Sequence, residues 1–109
     1  MSKLDPSQIQ WRDPWYALPS EEAHKAEKEL RFEVSGDHIL FQRSITALGR
    51  RQDCDVFLFH LEGGPPSFAV VHLTYQSESR PEWPHTKVFD SLAVWLEECM
   101  IPDAEEFER

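Results

Sequence analysis

Asp55-Val56-Phe57-Leu58-Phe59-His60-Leu61, then Glu62-Gly63-Gly64-Pro65-Pro66, then Ser67-Phe68-Ala69-Val70-Val71-His72-Leu73-Thr74-Tyr75 is the stretch that decides the fold. Its two outer runs are rich in aromatic and β-branched residues, which suit a pleated surface, and the middle is turn chemistry. We read the whole as a β-hairpin. Both runs carry apolar residues at odd and even positions, which predicts central strands covered on both faces.

Upstream of the hairpin, Ser44 to Arg50 reads as a further strand weakened by Gly49, preceded by a connector over 37–43 in which Ile39, Leu40 and Phe41 are partly covered. Before that, Ala23, Ala26, Leu30 and Val34 recur at three- and four-residue steps, predicting a helix over 20–35. Ser20 is the expected N-cap, Glu21 and Glu22 suit the positive helix end, and Gly36 is the expected stop. Glu21–Lys25 and Glu27–Arg31 stand at ion-pair spacing on the outer face. Residues 1–19 are punctuated by Pro6, Pro14 and Pro19. They also carry Trp11, Trp15, Tyr16 and Leu18, too much apolar surface for a solvated tail, so the arm is expected to pack on the body.

Downstream, 76–85 is a polar, proline-bearing loop, and Thr86 to Phe89 is read as a short fourth strand in preference to an early helical turn. Asp90 is the expected cap of a closing helix with Leu92, Trp95, Leu96 and Cys99 on its buried stripe, ended by Pro102. The order α-β-β-β-(β)-α predicts an α+β domain: a three- or four-stranded antiparallel sheet with one helix before it and one after it. Residues 20–100 form this single domain, and 101–109 an acidic tail that frays from Asp103 onward.

The formal net charge of −9 disfavours nucleic acid and anionic membranes, and is compatible with a basic protein partner. The adjacent Arg50 and Arg51 are answered at once by Asp53 and Asp55. Cys54 and Cys99 do not make a disulfide framework, and no run approaches the length of a membrane helix, so a cytoplasmic location is expected. Self-association is open to a small sheet with free edges.

Three constellations carry candidate chemistry. His60 and His72 stand in paired strands and, given a suitable register, would approach a metal site with Cys54, Asp53 or Asp55. The plain alternative is two hydrogen-bonded face histidines. Asp53 and Asp55 flank Cys54 and would share one side of an extended chain; equally, Arg50 or Arg51 would simply neutralise them. Cys54 lacks the neighbouring base that a nucleophile needs. Finally, Trp11, Trp15, Tyr16 and Trp83 lie outside the regular elements, as interface anchors or as caps over the open sheet face. No phosphate-binding loop, nucleophile elbow, zincin helix or dinucleotide fingerprint occurs, and no cofactor is implied.

The run Arg50-Arg51-Gln52-Asp53-Cys54-Asp55-Val56-Phe57-Leu58-Phe59, with Ala69 to Tyr75, Trp83-Pro84-His85-Thr86 and Phe89, resembles a group of small bacterial proteins without an assigned activity. The resemblance spans roughly residues 15–98 and departs from the group at Tyr75, where the group carries tryptophan. It implies a bacterial origin and a shared fold, not a mechanism. Two functions are therefore expected from the residues. The first is a non-enzymatic interaction or accessory domain. The alternative is a small enzyme or an anion- or metal-binding domain centred on His72, with Asp53, Asp55 and Arg50 or Arg51.

Overall fold

The computed structural model describes residues 8–76, 80 and 82–108. Residues 1–7 of the expected arm, parts of the 76–85 loop and Arg109 thus lie outside the described residues. The sheet has five antiparallel strands in sequence order: β1 (Trp15–Ala17), β2 (Ile45–Arg51), β3 (Val56–Leu61), β4 (Phe68–His72) and β5 (His85–Phe89). The strand added to the expectation is β1. It comes from the arm, and its Trp15, Tyr16 and Ala17 pair with Arg51, Arg50 and Gly49 of β2. Helix α1 (Ser20–Glu33) therefore joins two neighbouring strands rather than preceding the sheet.

Both sheet faces are covered. On one, α1 lays Ala23, Ala26 and Leu30 over Ala47, Phe57, Phe59, Ala69 and Val71. On the other, Ile9, Trp15, Trp95 and Met100 close over Leu48, Leu58, Phe68 and Phe89. Complete burial of side chains such as Leu58 and Phe59 is worth about 1.5–3 kcal/mol each. The rings of Trp11 and Trp15 meet Trp95 edge-on, at centroid distances of 5.9 and 5.3 Å.

A β-bulge decides which way β2 presents its arginines. Ala47 pairs with Phe59, but Gly49 pairs with Leu58, so Leu48 is the extra residue. Because side chains alternate, one inserted residue exchanges the faces of everything after it. Arg50 consequently stands opposite Phe57 on the α1 side, while Arg51 stands with Trp15 on the other. The amide of Ala47, at the lip of the bulge, donates to Glu27 Oε2 at 2.9 Å, so Glu27 is turned to the sheet. Gly49 lies directly beneath the Trp11 ring, where any Cβ would overlap it.

Several boundaries differ from expectation for local reasons. Pro19, extended at φ −59° and ψ 151°, is the N-cap of α1, and its carbonyl accepts from Ala23; Ser20 is already helical. The helix stops at an extended Val34, with no left-handed glycine. Strand β4 ends at His72, because the amides of Thr74 and Tyr75 turn to the Glu33 carboxylate and Tyr75 takes φ 59°. Ser91, not Asp90, caps the closing helix, its Oγ accepting from Val94 N at 3.3 Å. That helix runs through α2 (Leu92–Trp95), a π-helical turn (Leu96–Met100) and α3 (Ile101–Phe107). Pro102 does not end it. The wider turn just before the proline makes room for its ring and its missing N–H. The expected frayed tail is therefore helical as far as Phe107, with Ala104 fully buried.

Candidate functional site

The ordinary end of α1 creates the site. Glu33 falls on the buried stripe, three residues after Leu30, and is completely covered. An ionised carboxylate tolerates such a position only when its lone pairs are filled. Here Oε1 accepts from Thr74 N at 2.8 Å and Thr74 Oγ1 at 3.1 Å, and Oε2 accepts from Tyr75 N at 2.7 Å. These bonds staple α1 to the chain leaving β4. One turn earlier lies Glu29, whose Oε2 is sealed from solvent and reached by no protein donor. Burial, then the hydrogen bond and the charge of Glu33, push the Glu29 carboxyl up from 4.5 to about 7. Glu29 therefore holds its proton to higher pH than an ordinary glutamate.

Glu29 opens onto a cleft of about 300 Å³ between α1, the sheet and the 73–75 turn. Leu18, Ala26, Phe57 and Leu73 make its floor; Glu22, Lys25, Glu29, Arg50 and Tyr75 make its walls and rim. Arg50 is not free to clamp a ligand. Its Nη2 donates to Asp55 Oδ1 at 2.6 Å, its Nε to Cys54 O at 3.4 Å, and its guanidinium lies 5.0 Å over the Phe57 ring. Tyr75 stands at the lip, 52% exposed, with its hydroxyl donating to Asp55 Oδ1 at 3.4 Å. Burial, then the Asp55 charge, raises the phenol above its ordinary range.

On the opposite face, Arg51 donates from Nε and Nη2 to both oxygens of Asp53 at 2.9 Å, and its Nη1 lies 3.4 Å from Asp103 Oδ2. The same Asp103 oxygen accepts from Trp15 Nε1 at 2.9 Å. The bidentate bond holds Asp53 below the usual carboxylate range and Arg51 above its own. This network ties the arm, the sheet and the closing helix together. Cys54 and Cys99 are free thiols, both raised chiefly by burial, Cys99 to about 12.

The residues nominated around His72 do not converge. Asp53 and Asp55 sit in a turn rather than an extended segment, and each is engaged by a different arginine on a different face. His72 is exposed and pairs directly with His85 of β5. His60 shares that face, but it is opposite Phe68 while His72 is opposite Val56, four residues or ~13 Å along the ladder. Among the described residues, no group of three or more His, Cys, Asp or Glu side chains is arranged to hold a metal ion.

The aromatic set divides as well. Trp15 is 1% exposed and belongs to the core, Trp11 and Tyr16 are half-buried, and only Trp83 is largely exposed. The connector over 34–44 also carries exposed apolar groups, Ile39 and Phe41, as do the helices at Phe32, Ile101 and Phe107. It is pinned by His38, whose Nδ1 accepts from Leu40 N and whose Nε2 therefore donates to Pro84 O at 3.0 Å. Glu29 and Glu33 were missed from the sequence. Their only signal is an acid on an otherwise apolar stripe, which ordinarily marks the edge of a helix face.

Among the described residues, no helix is long and apolar enough to cross a membrane. Comparisons with family models, curated proteins and solved structures gave no match.

Proposed function

We propose that this chain is a non-catalytic interaction domain that binds a basic partner through the cleft between α1 and the sheet. The observation that carries the proposal is the composition of that cleft: an apolar floor beneath Glu22 and Glu29, with Lys25 and the Asp55-paired Arg50 also on its walls and the Tyr75 ring at its lip. An aliphatic stem gains from the floor, a cationic head from the carboxylates and the ring face. The net charge of −9 adds a long-range attraction for such a partner. Anion recognition has little support, because the Arg50 charge is already spent on Asp55 and Phe57. Acid–base catalysis centred on His72 has little support either, because Asp53 and Asp55 each neutralise an arginine and His72 lies outside the cleft.

The test is amide chemical-shift mapping with two capped decapeptides, one alternating Lys with Leu and one alternating Glu with Leu. The Lys peptide is expected to perturb Leu18, Glu22 and Tyr75 at 50 mM salt and to weaken at 500 mM, and the Glu peptide to leave these amides unmoved. Equal responses to both peptides, or perturbations confined to other faces, would overturn the proposal.

A further inference from the structure

The cleft's inner wall is more specific than a general acidic surface. Glu33 has both oxygens filled by the 74–75 turn, and Asp55 is held by Arg50. Glu29 is therefore an acid of the cleft lining that, among the described residues, forms no ion pair with a basic side chain. At about 300 Å³ the space is at the lower end of ligand pockets, which run from about 300 to 1,000 Å³. It fits one side chain or a molecule of that size. A bare metal ion is a poor occupant, since one carboxylate over an aliphatic and aromatic floor supplies too few oxygen ligands.

We propose that the cleft is the receptor for a single ammonium or guanidinium group on an aliphatic stem, a lysine or arginine side chain, with Glu29 as its counter-ion. This rests on the basic-partner reading above and deepens it. The stem lies on Leu18, Ala26 and Leu73, and the head meets the Glu29 carboxylate where it lines the cleft. Glu29 must be ionised to receive a cation, so its proton passes to solvent as the ligand enters. The titratable and charged groups around it are Glu33, Glu22 and Lys25 on α1, Arg50 of β2 with Asp55, and Tyr75 of the turn. No histidine lines the cleft, so pH dependence between 6 and 8 reports Glu29.

Isothermal titration of the full chain with capped Gly-Lys-Gly, Gly-Arg-Gly and Gly-norleucine-Gly at pH 6 and pH 8 tests this. The charged peptides are expected to bind at least tenfold more tightly than the norleucine peptide at pH 8. Because Glu29 sits at about 7, linkage predicts roughly tenfold tightening from pH 6 to pH 8. At pH 6 close to one proton is released per peptide bound. In Glu29→Gln, whose amide keeps the bond to Glu33, both the pH dependence and the preference for charge are expected to vanish while thermal unfolding remains cooperative. Charged peptides that bind without pH dependence, or that bind Glu29→Gln as well as the native chain, would overturn the inference and leave the basic-partner reading standing. If the single-residue peptides do not bind while the Lys-Leu decapeptide still perturbs the cleft, the inference fails alone. If neither binds, both fail.

Discussion

Replacing Glu29 by glutamine is expected to stabilise the protein, and only above mildly acidic pH. In the native chain Glu29 holds its proton to about 7, against 4.5 for an ordinary glutamate. Between those values the folded state binds more protons than the unfolded chain, so stability falls as pH rises. The penalty starts near pH 4.5, is complete just above 7 and is flat beyond. A displacement from 4.5 to about 7 corresponds to at most roughly 3 kcal/mol. Part of the side chain reaches solvent, and screening reduces this to about 1–2 kcal/mol. Glutamine offers Glu33 an N–H in place of the carboxyl proton and cannot ionise. Urea denaturation of both proteins at pH 5, 6, 7, 8 and 9 measures the difference. The advantage of Glu29→Gln should be small at pH 5, grow by about 1–2 kcal/mol up to pH 7.5, and then remain constant. For a domain of this size, that is a rise in Tm of roughly 4–9 °C. Stability curves that stay parallel throughout would show that Glu29 is an ordinary carboxylate, and its raised pKa would have to be abandoned.

Two further predictions concern the opposite face. Trp15→Phe removes the Nε1 donor from Asp103, a bond to a charged acceptor, and should lower stability by about 2 kcal/mol in urea denaturation; an unchanged midpoint would mean the staple between arm and closing helix is unimportant. With a thiol reagent at pH 8, Cys54 should react before Cys99, whose thiol is pushed up to about 12. In strong denaturant the two rates should converge, and native-state labelling of Cys99 first would contradict its placement against Trp95 and Asp103.

The local elements were legible because local chemistry decides them. The three- and four-residue spacing of Ala23, Ala26 and Leu30 specifies α1 whatever the rest of the chain does. The apolar density of Val56 to Leu61 and Phe68 to His72 already required central strands buried on both sides. The short β1 was not legible. Three residues, Trp15 to Ala17, carry no strand signal of their own and become a strand only because β2 offers them an edge.

What the sequence determined by itself is the α+β class, the order of the hairpin strands, α1 and the acidic field. What only the tertiary structure decided is which side chains share a site. Arg50 and Arg51 are adjacent in the chain, yet one inserted residue at Leu48 fixes which goes to the cleft and which to the opposite face. Gly49 marked the strand as weak, but where the bulge falls and which residue is extra are set by long-range packing: Leu48 in the second core, Trp11 over Gly49, Glu27 on the Ala47 amide. Glu29 and Glu33 gain their character in the same way. A carboxyl holds its proton towards neutral pH only when the fold buries it beside another acid, and burial is a property of the whole molecule.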